Sequence, residues 1–187
     1  MNVVAIISVL IALIVGIVCV VAYSFKTVRF KKVGSQAPNF TLINQEGMPC
    51  SLQDYLGQRV ALYFYPKSGT PGCTNQACQL RDNYQSLKDH NIVLLGISCD
   101  TQLTQASFAQ AHQLPFPILS DFDSHVARMY GVLPTMKVGK QQAEIPIARR
   151  VTFLIDPQGV IKNIITNVDV THHAQQIIEG FQDNNKH

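Results

Sequence analysis

The sequence predicts an α/β sandwich with a mixed central sheet, preceded by one transmembrane helix. Three observations lead to this class: a long apolar run at the start, strand and helix patterns that alternate after it, and a late hairpin signal. Hydrophobic residues make up 47% of the 187 residues and charged residues only 14%, where an ordinary soluble domain has about 25% charged residues. This composition excludes a disordered, highly charged tail protein.

The first element is an apolar run over residues 3–22 that only three small residues interrupt, and no charged side chain precedes Lys26. About 20 apolar residues cross a bilayer core as a helix, at about 1.5 Å per residue. A cleaved signal peptide has its positive charges before an apolar stretch of roughly 7–15 residues, whereas here they follow a longer run. We therefore expect residues 1–25 to be a transmembrane anchor in the lipid bilayer.

A basic segment, residues 26–32, follows the apolar run and contains Lys26, Arg29, Lys31 and Lys32. Without these four, 11 of the 15 basic residues remain against 12 acidic ones, so the rest of the chain has no basic excess for binding nucleic acid. Positive flanks face the cytoplasm in most membrane proteins. The sequence thus predicts a single-pass membrane protein with its domain, residues 33–187, on the cytoplasmic side.

The first half of this domain alternates short apolar runs with helical spacing. A short strand is predicted over Phe40–Ile43, before a turn at Glu46 and Gly47. The run Arg59–Tyr65 is rich in β-forming residues and ends at Pro66, which is typical of a central strand buried on both faces. Apolar residues then recur at helical spacing, which predicts a helix over Cys73–Leu87.

The second half continues the alternation and ends with two strands in sequence. A turn at residues 156–159 separates these two strands, which is the signal of a hairpin. In chain order, the predicted elements are strand Ile92–Ser98, helix Thr101–Gln113, strand Pro117–Leu119, helix Ser124–Tyr130, strands Val151–Ile155 and Val160–Thr166, and helix His172–Gln182.

Five cysteines are present, and an odd number argues against a small secreted fold held by disulfides. Cys19 lies within the apolar run and is best explained as a small apolar residue. Cys50 lies in a predicted turn and Cys99 ends a predicted buried strand, so both are expected to be structural. Cys73 and Cys78 remain as candidates for chemistry.

Cys73 is predicted to open a helix directly after the loop Lys67–Gly72. A thiol in the first helical turn lies near the positive end of the helix dipole and near free backbone N–H groups, and both favour the thiolate. The thiolate is the nucleophilic form of cysteine. A buried, inert cysteine at a helix start remains the alternative.

The spacing between Cys73 and Cys78 excludes two common cysteine sites. Zinc sites use C-x2-C pairs with further Cys or His ligands nearby, and thioredoxin-type dithiols use C-x-x-C. On one helix, five positions correspond to about 140° of rotation and about 7.5 Å of rise, beyond the roughly 7 Å that a disulfide can bridge. A nucleophile and a second thiol that meets it only after the helix start unwinds would fit this spacing.

The segment Tyr63–Cys78 resembles the active-site segment of the peroxiredoxins, in particular the bacterioferritin-comigratory-protein or Q subfamily. Pro66, Thr70 and Cys73 match the family motif P-x3-T-x2-C, and Cys78 matches the resolving cysteine of the subfamily. Further matches are Ala37–Leu42, Leu95–Ser98 with Asp100, Leu119–Asp121 and Arg150–Asp156. The resemblance implies a thioredoxin-like fold and reduction of hydrogen peroxide and organic hydroperoxides with electrons from thioredoxin or a similar thiol donor.

The resemblance also implies residue roles. Cys73 would attack the peroxide and become a sulfenic acid, and Cys78 would then form a disulfide with it. Arg150 would stabilise the thiolate and the developing negative charge through its fixed guanidinium donors. Thr70 would orient the peroxide and Pro66 would shield the pocket. No cofactor or metal is implied, and the oligomeric state stays open, with a monomer as one option.

Two other functions remain compatible with the sequence. One is a membrane-tethered thiol–disulfide reductase and the other is a redox-sensing module without catalysis. Pro134 and Thr135 mimic the Pro-Thr pair that faces the dithiol of thioredoxin. The polar residues that follow are typical of a loop, so we do not expect this pair to form a site.

Overall fold

The computed structural model describes residues 30–138 and 141–182. Its strands are β1 Thr41–Asn44, β2 Pro49–Ser51, β3 Arg59–Phe64, β4 Ile92–Ser98, β5 Ile118–Ser120, β6 Thr135–Val138, β7 Gln141–Glu144, β8 Val151–Ile155 and β9 Ile161–Ile165. Its α-helices are α1 Pro71–Asp82, α2 Tyr84–Asp89, α3 Gln102–His112, α4 His125–Tyr130 and α5 His173–Gln182, and a 3-10 helix spans Leu52–Tyr55.

Seven strands form one mixed sheet in the order β2-β1-β5-β4-β3-β8-β9. Strands β3, β4 and β5 are parallel, while β8 runs antiparallel to β3, with Val151 opposite Phe64. The carboxyl ends of three strands and the start of β8 therefore meet at one edge of the sheet. Residues that follow β3 and residues that precede β8 are brought together there.

Strand β3 lies at the centre of the sheet and is buried on both faces. Successive side chains of a strand point to opposite faces, and the two hydrophobic cores follow this rule. Leu62 and Phe64 pack with Phe153 and Tyr130 on one face, while Tyr63 packs with α1, α3 and α5 on the other. The predicted central strand and the predicted α/β sandwich with a mixed sheet are thus confirmed.

The helix predicted over Cys73–Leu87 is wrong in its length, because the structure has two helices there. α1 ends at Asp82, and Asn83 leaves the helical geometry with φ −107° and ψ 13° before α2 begins. The Asn83 side chain donates to the backbone oxygen of Gln79 at 2.9 Å. Leu80 and Leu87 remain buried in the same core, so apolar spacing alone does not reveal the break.

Two strand pairings were also missed by the sequence pattern. Cys50 lies in the short strand β2 opposite Leu42, and not in a turn. Residues after Pro134 form the two-stranded ribbon β6–β7, with Thr135 opposite Glu144, where a loop was predicted. Backbone groups make these pairings, and polar segments supply such groups as well as apolar ones, so hydrophobic periodicity does not detect them.

The predicted membrane anchor, residues 1–25, lies outside the described residues. Within residues 30–138 and 141–182, no helix combines the length and the apolar character that crossing a bilayer requires.

Tyr63 lies deep in the core, and its ring crosses Gly96 of the neighbouring strand. A Cβ atom at Gly96 would lie 2.6 Å from the Tyr63 hydroxyl oxygen, so only glycine admits the ring. This hydroxyl is buried without a hydrogen-bond partner among the described residues. The hydroxyl of Tyr65, two positions on, contacts Ser68 and donates to Gln105. The two tyrosines therefore differ in what their hydroxyls contribute to stability.

We predict that Tyr63→Phe leaves the free energy of unfolding unchanged or raises it, because the substitution removes a buried hydroxyl without a partner. The matched variant Tyr65→Phe should lower it by about 1–2 kcal/mol, because Gln105 loses a buried donor. Denaturant unfolding of both variants checks this difference. A larger loss for Tyr63→Phe than for Tyr65→Phe would contradict the contact analysis.

Candidate active site

Cys73 lies in the first turn of α1 and only 2% of its surface is exposed. Thr70 precedes the helix in an extended conformation, with φ −78° and ψ 148°, and Pro71 occupies the first turn. Proline suits this position because its fixed φ matches the helix and it has no N–H to leave unsatisfied. The Cys73 sulfur therefore lies near the positive end of the helix dipole, as predicted from the sequence.

Arg150 reaches the same sulfur from the start of β8, at the same edge of the sheet. It directly precedes β8, whose antiparallel pairing with β3 places it beside the loop that follows β3. Its Nη2 atom donates to Cys73 Sγ at 3.2 Å. A permanent cation at a helix start favours the thiolate form of cysteine.

Three buried residues behind Arg150 were not found by the sequence analysis. Arg150 Nη1 donates to Gln76 Oε1, and Gln76 Nε2 lies 3.0 Å from His173 Nδ1. His173 Nε2 lies 2.8 Å from Thr152 Oγ1. Gln76 is three positions after Cys73, so helical spacing could have placed it on the same face. The sequence carries no comparable signal for His173 or Thr152.

The loop between β3 and α1 contains the other two predicted site residues. Pro66 is half-buried directly after the strand. The Thr70 hydroxyl donates to the Lys67 backbone oxygen at 3.0 Å. A hydroxyl whose proton is engaged still offers lone pairs, so Thr70 can accept a hydrogen bond from the O–H of a hydroperoxide. Both residues lie in the loop that leads to Cys73.

Polar contacts to the end of β4 fasten this loop. The Ser68 N–H donates to Asp100 Oδ2 at 2.7 Å, and the Ser98 hydroxyl donates to the same oxygen at 2.9 Å. Gln105 joins the cluster by accepting from the Ser68 hydroxyl at 3.0 Å and donating to Ser98 Oγ at 2.9 Å. Asp100 thus fixes the loop and takes no part in contacts with the sulfur.

Cys78 lies near the middle of α1, half-buried, with its sulfur 3.8 Å from Nδ1 of His112. Both Cys73 and Cys78 are free thiols, and one continuous helix contains them. Five helical positions separate two residues by about 7.5 Å along the axis. The described state is therefore the reduced one, in which the helix keeps the two sulfurs apart.

The other two described cysteines are in environments that suppress reactivity. Burial raises the pKa of the Cys50 thiol, which lies 3.4 Å from the Tyr55 hydroxyl. Burial likewise raises the pKa of the Cys99 thiol. Both changes favour the neutral thiol at neutral pH, which is a poor nucleophile. Within the described ranges, no group of three or more His, Cys, Asp or Glu residues could hold a metal ion.

His173 is buried and neutral. Burial, together with the positive charge of Arg150, lowers its pKa to about 3, although Asp169 acts in the opposite direction. A neutral imidazole has one N–H donor and one acceptor nitrogen. His173 can therefore accept a hydrogen bond from one neighbour while it donates to the other.

Comparison with known proteins gives consistent matches. The AhpC/TSA family model matches residues 33–164. The Coxiella burnetii bcp protein is 44% identical over 148 residues, which are 79% of this chain and 96% of that protein. Peroxiredoxin Bcp of Escherichia coli is 39% identical over 153 residues, which are 81% of this chain and 96% of that one.

Solved structures give the same result. Peroxidoxin BcpB of Mycobacterium tuberculosis superposes with a TM-score of 0.72 and 32% identity, over 81% of this chain and 97% of that one. Peroxiredoxin Q of Xanthomonas campestris superposes with a TM-score of 0.71 and is 26% identical, over 79% of this chain and 92% of that one. These matches confirm the thioredoxin-like α/β fold that the sequence resemblance implied.

The low pKa of His173 predicts a loss of stability in acid. Between pH 6.5 and about 3, the unfolded chain binds a proton at this histidine that the folded protein does not bind. The free energy of unfolding should therefore fall as the pH is lowered, by about 1.4 kcal/mol per pH unit from this group. Denaturant titrations at several pH values should show a shallower acid dependence for His173→Asn.

The exposed histidine at the start of α4, His125, provides the control. His125→Asn should keep the acid dependence of the wild-type protein, because this substitution leaves the buried contacts of His173 intact. Equal slopes for His173→Asn and wild type would show that His173 does not cause the acid sensitivity.

Proposed function

Since the chain belongs to the AhpC/TSA family and within it to the Bcp/PrxQ peroxiredoxins, it is a thiol-dependent peroxidase, and we propose that its reaction begins at Cys73. One observation carries this assignment: the Arg150 guanidinium donates to the Cys73 sulfur at 3.2 Å, at the start of a helix. Cys50 and Cys99 have no such surroundings, since burial raises the pKa of each thiol.

In the proposed first step, the Cys73 thiolate attacks one oxygen of the peroxide. A sulfur–oxygen bond forms and the O–O bond breaks, so the sulfur loses two electrons and becomes a sulfenic acid. The other oxygen takes up a proton and leaves as water or an alcohol. Arg150 stabilises negative charge on the reacting atoms, and Thr70 accepts a hydrogen bond from the peroxide O–H.

The proposed substrates are hydrogen peroxide and organic hydroperoxides. An alkyl peroxide reduction activity is described for the bacterioferritin comigratory protein of Xanthomonas campestris, which is 25% identical to this chain with a TM-score of 0.71. Lys67, Pro71 and Gly72 are exposed around the start of α1. Exposed residues around the helix start favour acceptance of organic groups of different size, because only the O–O group must reach the sulfur.

In the proposed second step, the Cys78 thiol condenses with the Cys73 sulfenic acid. An S–S bond forms and water leaves. The first turns of α1 must unwind for this step, because a regular helix keeps the two sulfurs apart. Two contacts hold these turns in the reduced protein: Arg150 Nη2 donates to Cys73 Sγ at 3.2 Å, and Gln76 Nε2 lies 3.0 Å from His173 Nδ1.

The cycle closes by thiol–disulfide exchange with a dithiol donor of the thioredoxin type. The donor becomes a disulfide and both cysteines return to thiols. The unwound segment would present the disulfide to this donor, which could not reach the 2%-exposed Cys73 of the reduced state. Unwinding therefore serves both the resolution step and the reduction step.

Substitution of the two cysteines tests the assignment. Cys73→Ser should abolish peroxide consumption, because a hydroxyl is not ionised at neutral pH and cannot be oxidised to a sulfenic acid. Cys78→Ser should consume about one peroxide per chain and then stop, because the sulfenic acid finds no internal thiol. Peroxide assays in the presence of a thioredoxin system measure both outcomes.

Cys50→Ser and Cys99→Ser are the matched controls and should turn over at the wild-type rate. Mass spectrometry of the oxidised wild-type protein should find Cys73 joined to Cys78. Near-normal turnover by Cys73→Ser, or a Cys73–Cys50 disulfide, would refute the scheme.

Hydrogen exchange tests the unwinding. Amide exchange over residues 74–80 should increase when the Cys73–Cys78 disulfide forms, because the helical hydrogen bonds there must break. Amides of β3, residues 60–64, should stay protected as an internal control. Peroxide-treated Cys78→Ser should keep the protection of the reduced protein, and unchanged protection in the verified disulfide form would show that the helix need not open.

We further propose that residues 1–25 anchor this peroxidase in a membrane with residues 33–187 on the cytoplasmic side. The uncharged apolar run over residues 3–22 and the four basic residues after it support the proposal. The match to the AhpC/TSA family begins at residue 33, after both segments. A cytoplasmic domain would also have access to a thioredoxin-type donor.

Membrane fractionation and protease treatment test this placement. The full chain should sediment with membranes at high salt, and a chain starting at residue 30 should not. External protease should spare the domain in intact cells and digest it after permeabilisation. Release of the full chain by salt would exclude the anchor, and digestion in intact cells would reverse the orientation.

A further inference from the structure

The buried side chain of His173 lies behind the reactive sulfur without touching it. It opens α5 and has no exposed surface, and its partners Gln76 and Thr152 are 1% and 0% exposed. The ring of Tyr63 packs edge-on against the imidazole, with 6.0 Å between centroids. The peroxidase chemistry proposed above gives this histidine no role, although it is hydrogen-bonded to a residue that contacts Arg150.

The donors and acceptors fix the direction of each hydrogen bond in the series from Arg150 through Gln76 and His173 to Thr152. Arg150 has only donors, so the atom of Gln76 that faces it must be the oxygen. The Gln76 amide nitrogen then donates to His173 Nδ1, 3.0 Å away. His173 must therefore carry its proton on Nε2, which donates to Thr152 Oγ1 at 2.8 Å. In this one orientation, each of the three contacts pairs a hydrogen-bond donor with an acceptor.

A neutral His173 is required for this arrangement. Charged or titratable groups face it from several elements: Arg150 before β8, Tyr63 on β3 and Asp169 before α5. Burial and Arg150 together lower the pKa of His173 to about 3, so Nδ1 is an acceptor throughout the neutral range. If Nδ1 could no longer accept a hydrogen bond, Gln76 would have a buried amide donor without a partner, which costs about 1–3 kcal/mol.

We propose that His173 is a positioning residue for the peroxidatic centre: it holds the Gln76 amide so that its oxygen faces Arg150, and thereby keeps the guanidinium on the Cys73 sulfur. The inference rests on the proposed role of Cys73 as the nucleophile. Without His173, the Gln76 amide is free to rotate, and its NH₂ group would then face the Arg150 donors. Arg150 would then lose a fixed contact, and the Cys73 sulfur would lose a firmly held cation, the kind of neighbour that favours the thiolate form of cysteine.

The test compares the pH dependence of the peroxide reaction in three variants of the full chain. His173→Leu removes the acceptor, whereas in His173→Asn the side-chain oxygen can take the place of Nδ1. Thr152→Val breaks only the far contact and is the matched control for packing. Because the chain has no tryptophan, the reaction is followed by thiolate absorbance and by trapping of the sulfenic acid.

His173→Leu should react about tenfold more slowly at pH 7, and its rate–pH curve should move about one unit towards higher pH. His173→Asn should recover most of the rate, and Thr152→Val should stay within about twofold of wild type. The proposal would be overturned if folded His173→Leu kept the rate–pH curve of the wild-type protein. It would also be overturned if Thr152→Val lost as much rate as His173→Leu, because His173 would then act only through packing. Failure of wild-type Cys73 to form a sulfenic acid would instead refute the proposed function, and the role of His173 with it.

Nitrogen NMR of the imidazole provides a measurement that does not depend on the folding of His173→Leu. In the reduced wild-type protein, His173 should carry its proton on Nε2. In Gln76→Glu, the carboxylate offers no donor, so the proton should move to Nδ1. A proton on Nδ1 in the wild-type protein, or the same tautomer in both proteins, would show that Gln76 and His173 are not coupled in this way.

Discussion

The contact between the Arg150 guanidinium and the Cys73 sulfur is the constraint on which the rest of the structure depends. The two residues are 77 positions apart, and only the tertiary structure brings them within hydrogen-bond distance. The parallel pairing of β3 with β4 brings the loop and the start of α1 to one edge of the sheet. The antiparallel return of β8 delivers Arg150 to the same edge. The mixed character of the sheet is therefore what makes the contact possible, because a strand parallel to β3 would end, and not begin, at that edge.

Helix α1 has to satisfy two opposing demands. While it is helical, its first turn and the buried chain of Gln76 and His173 keep Cys73 beside Arg150. In the proposed second step, in which Cys78 resolves the sulfenic acid, the same turns open and Gln76 leaves its partners. Gln76 lies between the two cysteines and Gln79 directly follows Cys78, and both contact the start of α5. In the proposed cycle, forming the disulfide therefore removes the contacts that hold the Cys73 sulfur beside Arg150, so the state that reacts with peroxide differs from the state that a reductant can reach.

The four described cysteines show how environment, and not residue type, distinguishes one thiol from another. Burial raises the pKa of Cys50 and Cys99, and no cation faces either sulfur among the contacts described for them. Cys73 is as buried as Cys50, but a helix start and a guanidinium surround it. In a low-dielectric interior a paired charge is tolerated where an unpaired one is not. Burial therefore favours the neutral thiol at Cys50 and Cys99, whereas the buried sulfur of Cys73 has a positive charge beside it.

The sequence by itself determined the alternation of strands and helices, the central strand β3 and a helix start close to Cys73, because each depends on neighbours within a few positions. It did not determine the β6–β7 ribbon or the β2 pairing, which arise from backbone hydrogen bonds that carry no hydrophobic signal. It also did not determine the break at Asn83, because Leu80 and Leu87 keep helical spacing across it. Arg150, like Pro66 and Thr70, could be named only through the family resemblance, and His173 and Thr152 not at all. Their roles depend on which strand ends meet at the sheet edge and which buried donors find acceptors there. Such pairings between distant residues are settled only when the tertiary structure removes them from water and leaves each polar atom a single partner to satisfy it.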